Sequence, residues 1–168
     1  MTTLNKDTSD RVYRERFFSG IRFVKLIADE LKREGFEVKT PDQRPKKIRK
    51  NYSDKGDIKI LKDGEVRFTL EVKSRKLNFT SKYDYPHSNV IVENVGQFNA
   101  KKHKVAAYVI ISQFTEEKFA IPMSSKKHWI IDKVYDSEKQ VIIEKYLVHK
   151  IHTIEFQELI EKLKEKLK

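Results

Sequence analysis

The chain has 168 residues, 38% of them apolar and 36% charged, and its 36 lysines and arginines against 25 acidic residues give a net charge of +11. This length predicts a single domain over 1–168 with one hydrophobic core. No run approaches the roughly 18 consecutive apolar residues of a membrane span, and the polar first residues lack the apolar centre of a secretory signal. Because cysteine is absent, disulfides and thiolate metal sites are excluded, and a cytoplasmic location fits best.

Hydrophobic periodicity and turn residues divide the chain into helices and strands. In chain order the predicted elements are a helix from residue 8 or 11 to 34, a strand over 36–40, a loop over 41–56, hairpin arms over 57–61 and 65–74, a loop over 75–89, a strand over 90–92, a helix over 95–104, a buried strand over 105–112, strands near 119–123, 129–134 and 141–148, and a helix from 153. This order predicts an α/β or α+β fold, with a mixed sheet flanked by helices. The core is expected over 11–112, with C-terminal strands and a helix over 113–168.

The second hairpin arm carries two different faces, because side chains alternate along a strand. One face is apolar throughout and is predicted to join the core: Val66, Phe68, Leu70 and Val72. The other face holds Arg67, Thr69, Glu71 and Lys73. Glu71 and Lys73 therefore point the same way, about 6.5 to 7 Å apart along the strand.

The hairpin register decides whether Asp57 joins Glu71. A two-residue Asp63-Gly64 turn puts Asp57 on the opposite face, whereas a three-residue turn over 62–64 puts it on the same face and diagonal to Glu71. The apolar pattern favours the three-residue turn, since it keeps the isoleucines of the first arm on the core face. The favoured register pairs Leu61 with Glu65, Ile60 with Val66, Ile58 with Phe68 and Asp57 with Thr69.

Two carboxylates beside a lysine suit phosphodiester hydrolysis. Asp57 and Glu71 are candidate ligands of a hard cation such as Mg²⁺ or Mn²⁺, with the backbone carbonyl of Val72 as a further ligand. Lys73 is the candidate for orienting the attacking water or stabilising charge on the phosphate. The competing interpretation is an ordinary solvated strand face with alternating charges.

The pattern resembles the PD-(D/E)xK nuclease superfamily, which includes restriction endonucleases and Holliday-junction resolvases. The resemblance covers residues 11–112, with the motif aspartate at Asp57 in GDI and the Glu-x-Lys at Glu71 and Lys73 in EVKSR. Gly56 stands where the motif's name has proline. The resemblance implies a further active-site residue at Gln97 and a metal-linked glutamate on the first helix, for which Glu15 is the candidate or else a surface charge.

The function that this resemblance implies is magnesium-dependent cleavage of DNA by a nuclease with a restriction-endonuclease-like core. An endonuclease is expected, with exonuclease action, RNA as substrate and a homodimer left open. Phage or prokaryotic origin is suggested by the type of relatives. Two competing interpretations are a DNA-binding protein that keeps the nuclease fold without cutting, and an interaction protein whose charge serves solubility.

Two loops are candidates for binding nucleic acid. The first contributes a basic cluster and an aromatic ring: Arg44, Lys46, Lys47, Arg49, Lys50 and Tyr52. The second contributes Arg75, Tyr83 and Tyr85. The competing interpretations are a charged loop without a ligand and a loop that packs its aromatic rings for stability. Among the histidines, His103 is predicted on a polar helix face, and His149 with His152 make a weak zinc signal.

Overall fold

The computed structural model describes residues 6–41, 57–137 and 139–168, and of residues 6–19 it describes the backbone alone. The helices in these ranges are α1 (Lys6–Arg33), α2 (Val95–Ala100) and α3 (Phe156–Lys166). The strands in the same ranges are β1 (Glu37–Lys39), β2 (Ile58–Lys62), β3 (Glu65–Arg75), β4 (Asn89–Asn94), β5 (Ala107–Ser112), β6 (Lys118–Pro122), β7 (Ile130–Asp136), β8 (Val141–His149) and β9 (Ile154–Glu155). They form a mixed six-stranded sheet in the order β1-β2-β3-β5-β6-β9 and an antiparallel three-stranded sheet in the order β4-β8-β7. The predicted mixed sheet flanked by helices is confirmed.

The end of α1 is set by Gly35, which directly follows the predicted helix end at residue 34. Gly35 has a φ of 94°, a left-handed conformation that glycine adopts without steric cost. Its N–H donates to the carbonyl of Lys32 at 3.0 Å, and the N–H of Phe36 donates to the carbonyl of Leu31 at 3.1 Å. This is the Schellman arrangement, which satisfies the last helix carbonyls and turns the chain directly into β1.

The β2–β3 hairpin closes through a two-residue turn. Lys62 pairs with Glu65, and the two residues between them, Asp63 and Gly64, have φ values of 56° and 76°. Positive φ at both positions is typical of a type I′ turn, whose twist matches that of the flanking strands. The predicted three-residue turn, and the register built on it, are therefore wrong.

A β-bulge near the turn restores the predicted faces beyond it. The register shifts by one residue and leaves Arg67 as an extra residue in β3. Past the bulge Ile58 pairs with Leu70, and both side chains are fully buried. Val66 lies on the turn side of the bulge and is half exposed, so its predicted place in the core is wrong.

The six-stranded sheet has a separate hydrophobic cluster on each face. α1 and α3 pack together on one face through a helical cluster that includes Phe23, Ile27, Leu31, Phe156, Leu159 and Ile160. The three-stranded sheet covers the other face through a second cluster, here called the inter-sheet cluster, that includes Phe79, Tyr85, Val90, Val92, Tyr108, Ile110, Phe119, Ile121 and Val148. Phe98 of α2 packs against the inter-sheet cluster, so helices lie on both sides of the sheet.

The connection between β3 and β5 passes over the part of the six-stranded sheet that carries Glu71 and Lys73. These two strands are parallel, and a parallel pair requires a crossover. The crossover, residues 76–106, contains β4 and then α2. α2 ends at Ala100 rather than at the predicted residue 104, because the backbone of Lys101 is already extended. In the described ranges, no helix has the length and apolar character needed to cross a membrane.

Candidate active site

Asp57 and Glu71 lie on neighbouring strand positions where β2 begins. Ile58 pairs with Leu70, so one further step in the same register sets Asp57 opposite Glu71. The Asp57 carboxylate accepts a hydrogen bond from the N–H of Val72 at 2.7 Å. The expected juxtaposition of the two acidic residues is therefore present, although it arises from a tight turn with a bulge rather than from the predicted register.

Lys73 lies on the same face of β3 as Glu71. Its Nζ is 3.6 Å from Oε2 of Glu71, which forms an ion pair two residues along the strand. Glu71 is only 1% exposed, and its neighbour on that face, Thr69, is also buried. The alternative of an ordinary solvated strand face is wrong for this part of β3, because the crossover covers it.

Glu93 brings a further carboxylate to this place from β4. The pairing of β4 with β8 shifts register between Ile91 and Glu93, which marks a bulge around Val92. A bulge re-aims the side chains that follow it, and here both Val92 and Glu93 are buried, with Glu93 5% exposed. Acidic residues thus reach the site from both sheets.

Two lysines bridge these carboxylates. Lys73 Nζ lies 3.0 Å from Oε2 of Glu93, in addition to its contact with Glu71. Lys101 Nζ lies 2.5 Å from Oε1 of Glu71 and 3.3 Å from Oε2 of Glu93. We call Glu71, Glu93, Lys73 and Lys101 the buried ionic cluster. Each ammonium group contacts both carboxylates, so the four side chains form one network rather than two separate pairs.

His103 and Tyr108 complete the surroundings of Glu71. His103 Nε2 lies 3.4 Å from Oε1 of Glu71, so the predicted position on a polar helix face is wrong; α2 has ended before His103. Tyr108 stands beside Glu71 in the parallel register of β3 and β5. Its hydroxyl is buried and makes no hydrogen bond to any other residue in the described ranges.

The charges of the cluster shift the protonation of its members. Burial raises the pKa of Glu93, but the ammonium groups of Lys73 and Lys101 outweigh it and hold that pKa below its ordinary value. Burial lowers the pKa of Lys101, but hydrogen bonding and attraction to the carboxylates of Glu71 and Glu93 outweigh it and raise that pKa. The pKa of Tyr108 is raised by burial and then by the same two carboxylates, so its phenol remains protonated at neutral pH.

The lowered pKa of Glu93 predicts a dependence of stability on pH. A carboxyl whose pKa is lower in the folded state stabilises the fold above its unfolded value of about 4.3, and this contribution is lost as the pH falls through the folded value. We expect Glu93→Gln to lower the free energy of unfolding at pH 7, and the difference from wild type to shrink as the pH falls below about 4.3. Urea unfolding at a series of pH values measures it, with the exposed Glu117→Gln as control. A pH-independent difference would contradict the assignment.

The donor set of the site fits a hard cation. In the described part of the chain, no three histidine, aspartate or glutamate side chains are already arranged to hold a metal ion. However, Oε1 of Glu71 and Oε2 of Glu93 are both buried, and both face the ammonium group of Lys101. Buried carboxylate oxygens that face a positive charge are the ligands that Mg²⁺ and Mn²⁺ prefer.

Several predicted site residues are not joined to this cluster. Gln97 is exposed on α2, and among the described residues no hydrogen bond or ion pair joins it to Glu71 or Lys73. Glu15 lies in α1, but its side chain is outside the described residues. The basic loop also lies outside them: Arg44, Lys46, Lys47, Arg49, Lys50 and Tyr52. The predicted roles of these residues stay predictions.

The second candidate nucleic-acid loop divides into packed and exposed residues. Tyr85 is buried in the inter-sheet cluster, with its ring centroid 5.3 Å from that of Phe119, so the packing alternative holds for it rather than the predicted contact with nucleic acid. Arg75 donates from its guanidinium to the carbonyl of Ile91 at 3.1 Å, which ties β3 to β4. Tyr83 is largely exposed and remains a candidate contact.

Sequence reasoning missed Glu93, Lys101 and the role of Tyr108. The signal for Glu93 was an acidic residue at the end of the apolar run Val90–Val92, inside the segment that must cross from β3 to β5. Tyr108 was the polar-tipped residue within the apolar strand VAAYVIIS, and parallel pairing with β3 places it beside Glu71. Lys101 carried no signal, because it is one of several lysines around α2.

Comparison of the chain with known proteins adds no assignment: no family model matches it, and no curated protein matches it in sequence. The fold and the side chains described above are therefore the basis of the functional proposal.

Proposed function

We propose that the chain is a metal-dependent nuclease that hydrolyses DNA phosphodiester bonds, with Asp57, Glu71 and Lys73 in its active site. The observation that carries this proposal is the convergence of these three residues. The Asp57 carboxylate binds the main chain directly after Glu71, and Lys73 Nζ lies 3.6 Å from the Glu71 carboxylate. Two carboxylates and a lysine on a β-hairpin are also the basis of the resemblance of the segments GDI and EVKSR to the PD-(D/E)xK superfamily.

Each residue has a role that follows from its position. A magnesium or manganese ion, when bound, polarises the scissile phosphate and lowers the pKa of a coordinated water. Asp57 and Glu71 hold that ion through carboxylate oxygens, with the carbonyl of Val72 as a further ligand. Lys73 orients the attacking water and stabilises negative charge on the phosphate. Gln97, exposed on α2, is proposed to help organise the site.

The charge of the chain supports a nucleic acid as substrate. The net charge of +11 attracts a polyanion, and the exposed Lys102 and Lys104 stand in the same crossover as Lys101 and His103. Binding through phosphate contacts depends on the salt concentration. We therefore expect the affinity for DNA to fall steeply as the salt concentration rises. Endonuclease action is part of the same proposal.

The experiment that tests the proposal is cleavage of linear, circular and branched DNA with Mg²⁺ or Mn²⁺, comparing wild type with Asp57→Asn. We expect wild type to cut and Asp57→Asn to cut at least about a hundredfold more slowly, because a charged ligand is lost without a change of shape. Asp63→Asn is the matched control, since Asp63 lies exposed in the turn of the same hairpin and asparagine accepts its left-handed conformation. Cutting of circular DNA would identify an endonuclease.

The alternative is a protein of the same fold that binds DNA without cutting it. The observation that favours this alternative is that Glu71 and Glu93 are already neutralised by Lys73 and Lys101. Wild type that binds DNA but never cuts it with either metal, or Asp57→Asn that cuts as fast as wild type, would overturn the proposed nuclease site.

A further inference from the structure

The carboxylates of Glu71 and Glu93 reach one place from two different sheets, and the ammonium group of Lys101 lies between them. We propose that Lys101 occupies the position of the divalent cation, that Glu93 is a further acidic ligand of that cation, and that cation binding displaces Lys101. This proposal rests on the proposed function and extends it, because it names a ligand and a competing residue that the sequence motif does not contain.

The contacts of Lys101 are those of a cation held by two acids. Its Nζ lies 2.5 Å from Oε1 of Glu71 and 3.3 Å from Oε2 of Glu93. The buried Tyr108 hydroxyl stands in the field of both carboxylates, and it makes no hydrogen bond to any residue that the structure describes. Buried polar atoms normally have partners, so this hydroxyl beside two buried carboxylates indicates a site that lacks a ligand.

A positive charge is needed here whether or not a metal ion is bound. Two buried carboxylates without a counter-charge are strongly unfavourable, and removing one member of a buried ion pair is strongly destabilising. Lys101 provides that charge to the metal-free protein. A divalent cation carries twice the charge and takes six or more oxygen ligands, so it satisfies the same carboxylates more completely.

Lys101 is better placed to leave than Lys73. Lys73 lies within β3, between β2 and β5 in the sheet, and its predicted role keeps it at the scissile phosphate. Lys101 instead follows the short helix α2, where the chain has become extended, and its neighbour Lys102 is exposed. In the proposal, the Lys101 side chain, which is 13% exposed, moves its ammonium group into solvent by rotation about its own bonds.

The proposal predicts opposite effects of two substitutions on Mn²⁺ affinity, measured by titration calorimetry without DNA. When the competing ammonium group holds the site in about nine molecules of ten, the apparent affinity is about tenfold below its intrinsic value. Lys101→Met, which keeps the length of the side chain and removes the charge, is expected to bind Mn²⁺ about tenfold more tightly than wild type. Glu93→Gln is expected to bind it at least about tenfold more weakly, as for loss of a supporting group around a metal.

Two controls separate this result from a change of surface charge or of folding. Lys102→Met removes the same charge from the exposed neighbouring residue and is expected to leave Mn²⁺ affinity unchanged. Lys101→Arg keeps the positive charge and is expected to show no gain. Thermal unfolding with and without Mn²⁺ adds a second measurement, in which Lys101→Met should gain more stability from the metal than wild type does.

Equal Mn²⁺ affinity of wild type and Lys101→Met would overturn the proposal, and so would full affinity in a folded Glu93→Gln. If DNA is still cut in a way that depends on Asp57, the proposed function stands while the role of Lys101 falls. Failure to cut DNA by a protein that shows the expected Mn²⁺ shifts would overturn the proposed function alone. Lys101→Met decides the proposal even where Glu93→Gln does not fold.

Discussion

Replacing Lys73 with alanine is expected to slow DNA cleavage by about 10² to 10⁴-fold while leaving the affinity for DNA nearly unchanged. The reason is that Lys73 Nζ lies 3.6 Å from Glu71 and 3.0 Å from Glu93, and so beside any phosphate that approaches these carboxylates. A group that acts on the attacking water and on the transition-state charge changes the rate constant more than it changes substrate binding. Single-turnover cleavage with saturating enzyme, together with DNA binding in Ca²⁺, measures the two quantities separately.

Lys76→Ala is the matched control for Lys73→Ala. Lys76 is exposed one residue beyond the end of β3, so its loss removes the same charge close to the same strand without touching the buried ionic cluster. We expect its cleavage rate to stay within about threefold of wild type, since single surface charges act weakly. A Lys73→Ala variant that is folded and cuts as fast as the Lys76→Ala control would assign Lys73 to an ion pair without a catalytic role.

The folding of Lys73→Ala must be measured beside its activity. The substitution removes one of two ammonium groups from two nearly buried carboxylates, and Lys101 remains in contact with both. Some loss of stability is therefore expected, and the unfolding temperature shows whether the assay temperature still lies in the folded range. Loss of cleavage with an intact unfolding transition is the result that separates catalysis from stability.

The elements of the fold were predictable because each has a local cause. The three-and-four spacing in α1, the glycine at its end and the apolar run of β5 all depend on residues close in sequence. The division of the strands into two sheets was not predictable in this way. β4 does not join the six-stranded sheet but pairs with β8, whose paired residues lie more than fifty positions later in the sequence. Short apolar strands of the two sheets have the same local pattern, so this pattern does not show to which sheet a strand belongs.

The shared face of Asp57 and Glu71 was predicted from a wrong register. The turn residues Asp63 and Gly64 favour a two-residue turn, and the apolar pattern favours the faces that a three-residue turn would give. The structure satisfies both preferences by placing Arg67 in a bulge, a solution that neither local rule contains. Patterns of burial therefore identified the face of Asp57 and Glu71, whereas the hydrogen-bonded pairs required the structure.

The other two members of the buried ionic cluster, Glu93 and Lys101, belong to the crossover, and sequence patterns do not predict where the crossover lies. Glu93 and Lys101 are distant from Glu71 in sequence, and they reach it because the parallel pairing of β3 and β5 carries the intervening chain over that face. Glu93 and Lys101 can be distinguished from ordinary surface charges only once their burial is known, since charged residues on a surface are common. For the same reason, the sequence left open the competing interpretation of a solvated strand face.

Replacing Phe119 with alanine is expected to lower the free energy of unfolding by about 3 to 5 kcal/mol, the usual range for opening a cavity at a buried phenylalanine. Phe119 lies in β6 with 0% of its surface exposed, and its ring centroid is 5.4 Å from that of Phe79 and 5.3 Å from that of Tyr85. Both neighbours belong to the loop at the start of the crossover. For a chain of this size, the change corresponds to a fall in unfolding temperature of about 6 to 20 °C.

The same substitution tests whether the inter-sheet cluster holds the crossover over the active site. Because Phe119 contacts the loop before β4, its loss should increase amide hydrogen exchange in residues 76–92 more than in α1, which packs on the opposite face. Phe114→Ala is the matched control, since Phe114 is 67% exposed and its removal should change stability by less than about 0.5 kcal/mol. Equal increases of exchange in α1 and in the crossover would show that the two faces unfold as one unit. An increase of exchange confined to the crossover would show instead that the inter-sheet cluster holds Glu93 and Lys101 against Glu71 and unfolds separately from the helical face. Packing remote from the ionic groups would then set the geometry of the site.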